Sequence, residues 1–148
     1  MASETFEFMS PSWVSEVRTI IENLLAGMDL TDVNFSISEE MTDPPQDRFG
    51  FPPQRVGWHM RLYEGIIDVG ASPLDVADIR VVADYRTHHD LSRRVWAGDP
   101  VEMAISKSLR EQAMLKGKLR TEGDLSAAPP LIRDLVLALH DRVANMTR

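Results

Sequence analysis

Four histidines, at positions 59, 88, 89 and 140, are the side chains best suited to proton transfer or metal ligation near neutral pH. His88 and His89 are adjacent at an expected helix start, so they diverge by about 100° and do not share a metal as an i, i+4 pair does. Thr87-His88-His89-Asp90 has the form of a capping box, and both histidines read as solvated residues of that turn. His59 falls on the polar face of a strand and reads as a cross-strand partner. His140 follows the apolar run of the last helix and reads as surface. The acid pairs Glu39-Glu40 and Glu122/Asp124 read as a solvated strand end and a turn. There is no Ser in a G-x-S-x-G elbow, no G-x-G-x-x-G or phosphate loop, and no H-E-x-x-H. A hydrolase or metal site around His88, His89 and Asp90 is the catalytic alternative, and it predicts lost activity or metal on His88→Ala. The main expectation is no catalytic residue, no metal site and no cofactor.

The elements that position these residues belong to a chain of 148 residues with 16 Lys+Arg, 23 Asp+Glu and no Cys, giving a net charge of −7. This length fits one domain over 1–148 with a real core. The acidic balance and scattered basic residues argue against nucleic acid as a partner. Lack of Cys removes disulfides, thiolate zinc sites and a Cys nucleophile, and fits a reducing cytoplasm. The first twenty residues carry Glu4, Glu7 and Glu16 rather than a basic start and an apolar run, and do not read as a secretory signal. The apolar stretches Ile20–Met28 and Leu131–Leu139 fall well short of the roughly 18 residues that span a bilayer. The apolar share of 43% with only 7% aromatic predicts an aliphatic, Met-rich core.

Ser10 before Pro11 predicts a helix start, and Trp13, Val17, Ile20, Ile21, Leu24, Leu25 and Met28 carry its apolar face, with the helix over about Pro11–Ala26 and the segment fading by residue 28. Val33, Phe35 and Ile37 alternate with polar residues in a first strand. Val56–Tyr63 and Ile66–Val69 form a hairpin about Glu64-Gly65, and Ala77–Tyr85 is a fourth strand. A short helix opens at Thr87 and runs toward Gly98. Asp99-Pro100 opens another, with Val101, Ala104, Ile105, Leu109 and Ala113 as its inward stripe and Lys107, Arg110 and Glu111 outward. Lys118–Glu122 is a fifth strand, and Pro129-Pro130 introduces a helix over about 130–145 that is apolar on more than one face. The Pro-rich segment Met41–Arg55 reads as irregular, with Phe49 and Phe51 as loop anchors. The fold class is α+β, a five-stranded, mainly antiparallel sheet with helices packed on one face.

Gly117-Lys118-Leu119-Arg120-Thr121-Glu122-Gly123-Asp124-Leu125 resembles the G-K-L-K-x-x-G-D/N-hydrophobic signature of the sterol carrier protein-2 family. Ala77-Asp78-Ile79-Arg80-Val81 resembles the family's A-D-V-T-I strand, and Asp90–Pro100 its next segment. The resemblance covers about Trp58–Leu125. It implies an apolar tunnel between sheet and helices that holds a sterol, fatty acyl chain or similar lipid, with no chemistry of its own. Two departures fall where a ligand would be enclosed: a longer Gly98–Gly117 stretch, and Pro129-Pro130 before the last helix.

The expected function is therefore a cytoplasmic, non-catalytic lipid-binding carrier of an apolar or amphipathic small molecule. The expected lining is Trp58, Met60, Leu62, Ile79, Val81, Trp96, Ile105, Leu109, Leu119 and Leu135, with Met60, Met103 and Met114 as adaptable surfaces. Membrane contact is expected to be transient at most. The competing expectation is an interaction module with a solid core, a homodimer joined through the surplus apolar face of Leu131–Val143.

Overall fold

The computed structural model describes residues 4–50 and 55–148. Ser10 caps the first helix, α1 (Pro11–Leu25), its Oγ accepting from Trp13 N at 3.1 Å with Pro11 in the first turn. Strands follow at β1 (Phe35–Thr42), β2 (Val56–Tyr63), β3 (Ile66–Gly70) and β4 (Ile79–Asp84). Helix α2 (Gln46–Phe49) lies between β1 and β2, inside the segment expected to be irregular. Phe49 anchors there edge-on to Tyr85, whereas Phe51 lies outside the described residues. The second half adds α3 (Tyr85–Ser92), α4 (Pro100–Leu115), β5 (Leu119–Glu122), a 3-10 turn at Leu125–Ala127, and α5 (Pro130–Met146).

The five strands form one sheet in the order β3-β2-β1-β4-β5. Three pairs are antiparallel and the central β1·β4 pair is parallel. Alternation places one face of a strand inward but does not set its direction, so the parallel pair had no signal of its own. The β2–β3 hairpin folds beside one edge of β1, and the connection through Ser72 and Leu74 crosses the polar face to bring β4 to the other. That crossing buries two polar-face residues. Leu74 N donates to Ser38 Oγ at 2.8 Å, and His59 Nδ1 donates to Ser72 O at 2.6 Å. His59 is thus held by this crossing segment more than by a neighbouring strand.

The register sets a common inward face from Ile37, Met60 and Ile79, then Glu39, Trp58 and Val81, then Met41, Val56 and Ala83. β1 runs through Met41 because Glu39 and Met41 keep the parity of Phe35 and Ile37. Gly57 is required where β2 meets β1, since a Cβ there would lie 2.1 Å from Glu39 O.

β4 passes directly into α3, capped by Asp84 rather than Thr87. Asp84 Oδ2 accepts from Thr87 N at 3.1 Å and from Thr87 Oγ1 at 2.9 Å. The expected capping box is therefore displaced by three residues, and α3 stops at Ser92, well before Gly98. The irregular stretch that follows is pinned by Asp141, whose carboxylate accepts from Trp96 N at 2.7 Å and Ala97 N at 2.8 Å. Helix α4 begins at its Asp99 cap as the sequence predicts, but is rotated from the expected stripe. Ser106 and Ala113 are its buried residues, while Val101, Ile105 and Leu109 are exposed.

The solid core lies under α1, where Trp13, Val17 and Ile21 join Leu62, Val69 and Ile132. The two ends of the described chain meet beside it. Phe6 N donates to Met146 O at 2.7 Å, Arg148 N donates to Phe6 O at 2.8 Å, and Trp13 Nε1 donates to Thr147 Oγ1 at 2.8 Å. No helix among the described residues is long and apolar enough to cross a membrane.

Candidate functional site

The helices over β1, β4 and β5 do not fill the space above the sheet. Between the inward face and α3, α4 and α5 lies a cavity of about 940 Å³. Its floor comes from the sheet, with Ile37, Trp58, Met60, Ile79 and Val81. Its far wall is α5, whose Leu135, Val136, Leu139 and Val143 face it while Ile132 is fully buried in the core. This accounts for a helix apolar on more than one side, because one part serves the core and another the cavity.

Six of the ten lining positions expected from sequence meet at this cavity: Trp58, Met60, Ile79, Val81, Trp96 and Leu135. Four do not. Leu62 and Leu119 follow the inward parity of their strands but are packed closed by neighbouring side chains away from the cavity, at 1% and 3% exposure. Ile105 points outward, and Leu109 lines a separate groove of about 350 Å³ against α3. Both depend on the rotation of α4, which an apolar stripe with Ser106 beside it could not reveal. Met103 reaches the rim, whereas Met114 and Met28 are exposed and Met146 is core.

The polar residues of the wall are the larger departure. Glu39, expected at a solvated strand end, stands on the apolar face, while its neighbour Glu40 points the other way and pairs with Arg55 at 2.8 Å. His88, expected in solvent, is buried, and its Nε2 lies 2.7 Å from Glu39 Oε2. Trp58 Nε1 donates to the other carboxylate oxygen. Burial pushes the Glu39 carboxyl up, but the His88 charge, hydrogen bonds from His88 and Trp58, and the Arg110 charge outweigh it and hold the group below the usual carboxylate range. Two signals for this pair were in the sequence. Glu39 keeps the parity of Phe35 and Ile37, and His88 lies three residues from Tyr85 and three from Leu91 on one helical face.

His140 is also a wall residue rather than surface. Its ring stacks on Trp96 at a centroid distance of 3.5 Å, and Nε2 donates to Arg94 O at 2.7 Å. Burial lowers its basicity. His89 stacks on Phe8 and donates to Arg148 O at 2.8 Å, its basicity likewise lowered chiefly by burial. Elsewhere on the wall, Trp96 Nε1 donates to Ser106 Oγ at 2.8 Å and Arg110 Nη2 to Thr121 Oγ1 at 2.9 Å. The polar atoms thus mostly satisfy one another and leave carbon to face the space. Among the described residues, no group of three or more His, Asp or Glu is placed to hold a metal ion.

Residues that line the cavity and are also exposed mark its mouth: Met103, Ala104 and Lys107 on α4, Leu125 and Ser126 in the 3-10 turn, and Arg133 and Leu137 on α5. A sheet covered on one face by helices that stand off around an apolar space defines an α+β fold with an internal cavity. Comparison with solved structures makes the fold specific. The chain is similar to a crystal structure of sterol carrier protein 2, with a TM-score of 0.52 and 15% identity over 94% of this chain and 98% of the other. It is similar to a conserved hypothetical protein from Thermus thermophilus, suggested to be a sterol carrier protein, with a TM-score of 0.53 and 16% identity over 99% and 94%. This chain has the sterol carrier protein-2 fold. No family model matches it. No curated protein matches it in sequence.

Proposed function

We propose that the protein is a non-catalytic carrier that takes an apolar or amphipathic small molecule, such as a sterol, a fatty acid or an acyl derivative, into the space between sheet and helices. The observation that carries the reading is the cavity of about 940 Å³, large enough for such a ligand and walled mainly by carbon. Burial of ligand hydrocarbon drives uptake at roughly 25 cal/mol per Å², before the costs of ordering. The shared fold supports the same reading, as one neighbour is a sterol carrier protein and the other is suggested to be one.

The Glu39–His88 pair and Arg110 give the wall a polar region, so an amphipathic ligand places its polar group there, with its chain along Met60, Ile79 and Leu139. Transport requires no bond to be made or broken, and a cytoplasmic setting suits a chain without Cys. The solid-core alternative fails to account for the open interior. Its homodimer through α5 loses its basis too, because the surplus apolar face of that helix borders the cavity.

Incubating the purified protein with fatty acids and sterols, removing free lipid and extracting what is retained tests the proposal. Saturable retention near one molecule per chain is expected. Retention of none overturns it.

A further inference from the structure

Beside the cavity, the described residues enclose a second hollow, the groove of about 350 Å³ between α3 and α4. Each helix turns one face to it at the same spacing, with Thr87, Leu91 and Arg94 on the α3 side and Leu109, Ala113 and Lys116 on the α4 side. Lys118, just before β5, joins Lys116 at one end. Arg94 pairs with Glu102 in the first turn of α4 and so stands at the other end. Leu91 borders both hollows and acts as the partition between them.

The polar lining is rich in donors and short of acceptors. Two of the chain's three lysines are here, and neither makes an ion pair among the described residues. Nor are they used to close the end of α4. The carbonyls of Gln112 and Ala113 accept from the backbone N–H groups of Lys116 at 3.0 Å and Lys118 at 2.8 Å, which leaves both ammonium groups uncommitted. Arg94 donates through Nη2 to Glu102 at 3.2 Å, but its Nε is buried without a partner. Asp90 is the one acid of the lining, and Arg93 already pairs with it at 3.2 Å.

We propose that this groove is a second ligand site, separate from the cavity, for a phosphate monoester with a compact apolar body. Two neighbouring cations without counter-ions match a dianion better than a single carboxylate, and a phosphate monoester carries roughly −1.5 to −2 charges at neutral pH. The phosphate lies between Lys116 and Lys118. Leu91, Leu109 and Ala113 supply carbon for the body of the ligand, and an acceptor on its far side offsets the cost of the buried Arg94 Nε. The volume stands at the low end for small-molecule sites, which keeps that body compact. None of this depends on what the cavity carries.

The test is titration of the isotopically labelled full chain with phenyl phosphate, read by backbone-amide NMR shifts, with inorganic phosphate, benzoate and benzyl alcohol in parallel. Saturable shifts are expected around Thr87, Leu91, Gln112 and Lys118, with phenyl phosphate bound most tightly, benzoate and inorganic phosphate several-fold more weakly, and benzyl alcohol not at all. Lys116→Glu with Lys118→Glu, both at exposed positions, should weaken phenyl phosphate binding about tenfold or more. Lys116→Arg with Lys118→Arg should restore most of it. If the charge reversal unfolds the chain, Lys116→Ala with Lys118→Ala reads the same loss. The proposal is overturned by an absence of saturable shifts, by shifts centred on Met60 and Val81 in the cavity, by benzyl alcohol binding as well as phenyl phosphate, or by unchanged binding in the lysine variants. Inorganic phosphate or benzoate binding as tightly as phenyl phosphate overturns the assignment of a phosphate monoester.

Discussion

His88 Nε2 donates to Glu39 Oε2 across 2.7 Å, joining the first helix after β4 to the central strand of the sheet. The His88 side chain is 9% exposed and that of Glu39 19%. Truncating one member leaves the other with its desolvation cost and no partner. His88→Ala should destabilise the fold by about 3 kcal/mol, and Glu39→Gln, which keeps the shape but removes the charge, by less. Urea unfolding of both variants measures this, and a change within about 0.5 kcal/mol for His88→Ala would deny the pair a structural role.

Acid should weaken the protein in two stages. The basicities of His89 and His140 are depressed by burial, so the unfolded chain binds their protons more readily. Their contribution is complete above the ordinary histidine value near 6.5 and is lost as pH falls through the depressed folded values. Glu39 is also depressed, and its contribution is lost in turn as pH falls below about 4.3 and through its folded value. Urea midpoints are expected to be level above about pH 7 and to fall on acidification. His140→Gln should flatten the upper stage.

Filling the cavity should separate stability from uptake. Val81 is 6% exposed and faces the open space, so Val81→Phe finds room there instead of forcing a packed core apart. The expected result is a stability within about 1 kcal/mol of the parent with markedly reduced lipid retention. Retention at the parent level would place the ligand elsewhere.

Asp141 holds the wall from behind by accepting from the backbone N–H groups of Trp96 and Ala97. Ala97 is held at φ 49°, a left-handed conformation in which a non-glycine residue needs such support. Asp141→Ala should release the Trp96–His140 stack, shift Trp96 fluorescence to the red and weaken ligand affinity. An unchanged emission spectrum and affinity would show the stretch to be held by other contacts.

The backbone plan was largely legible. Ser10-Pro11, Asp99-Pro100 and the alternation of Val56–Tyr63 each determine an element through local chemistry. Legibility failed where local and long-range forces compete. Asp84 displaced Thr87 as the cap because the strand runs unbroken into the helix, and nothing near Thr87 encodes that continuity. Apolar Ile105 and Leu109 suggested an inward face for α4, yet Ser106 lies inside because Trp96 supplies it a hydrogen-bond donor. The polar side of the cavity was missed for a different reason. A charged residue at an inward position reads as an exception to the pattern until its partner is seen, and the partner of Glu39 lies 49 residues away.

The pairing of Phe6 with Met146 and Arg148 bears on the order in which the molecule can assemble. On a ribosome the sheet strands emerge before α5, so the floor of the cavity is made well before its far wall. Until residues 146–148 arrive, the segment around Phe6 lacks its backbone partners and Trp13 its hydroxyl acceptor. During that interval the apolar face of the sheet is only partly covered, and it is then that a nascent chain of this fold is most exposed to aggregation. Closure by contacts so distant in sequence also slows folding, and the arrival of residues 146–148 becomes the step that seals the structure.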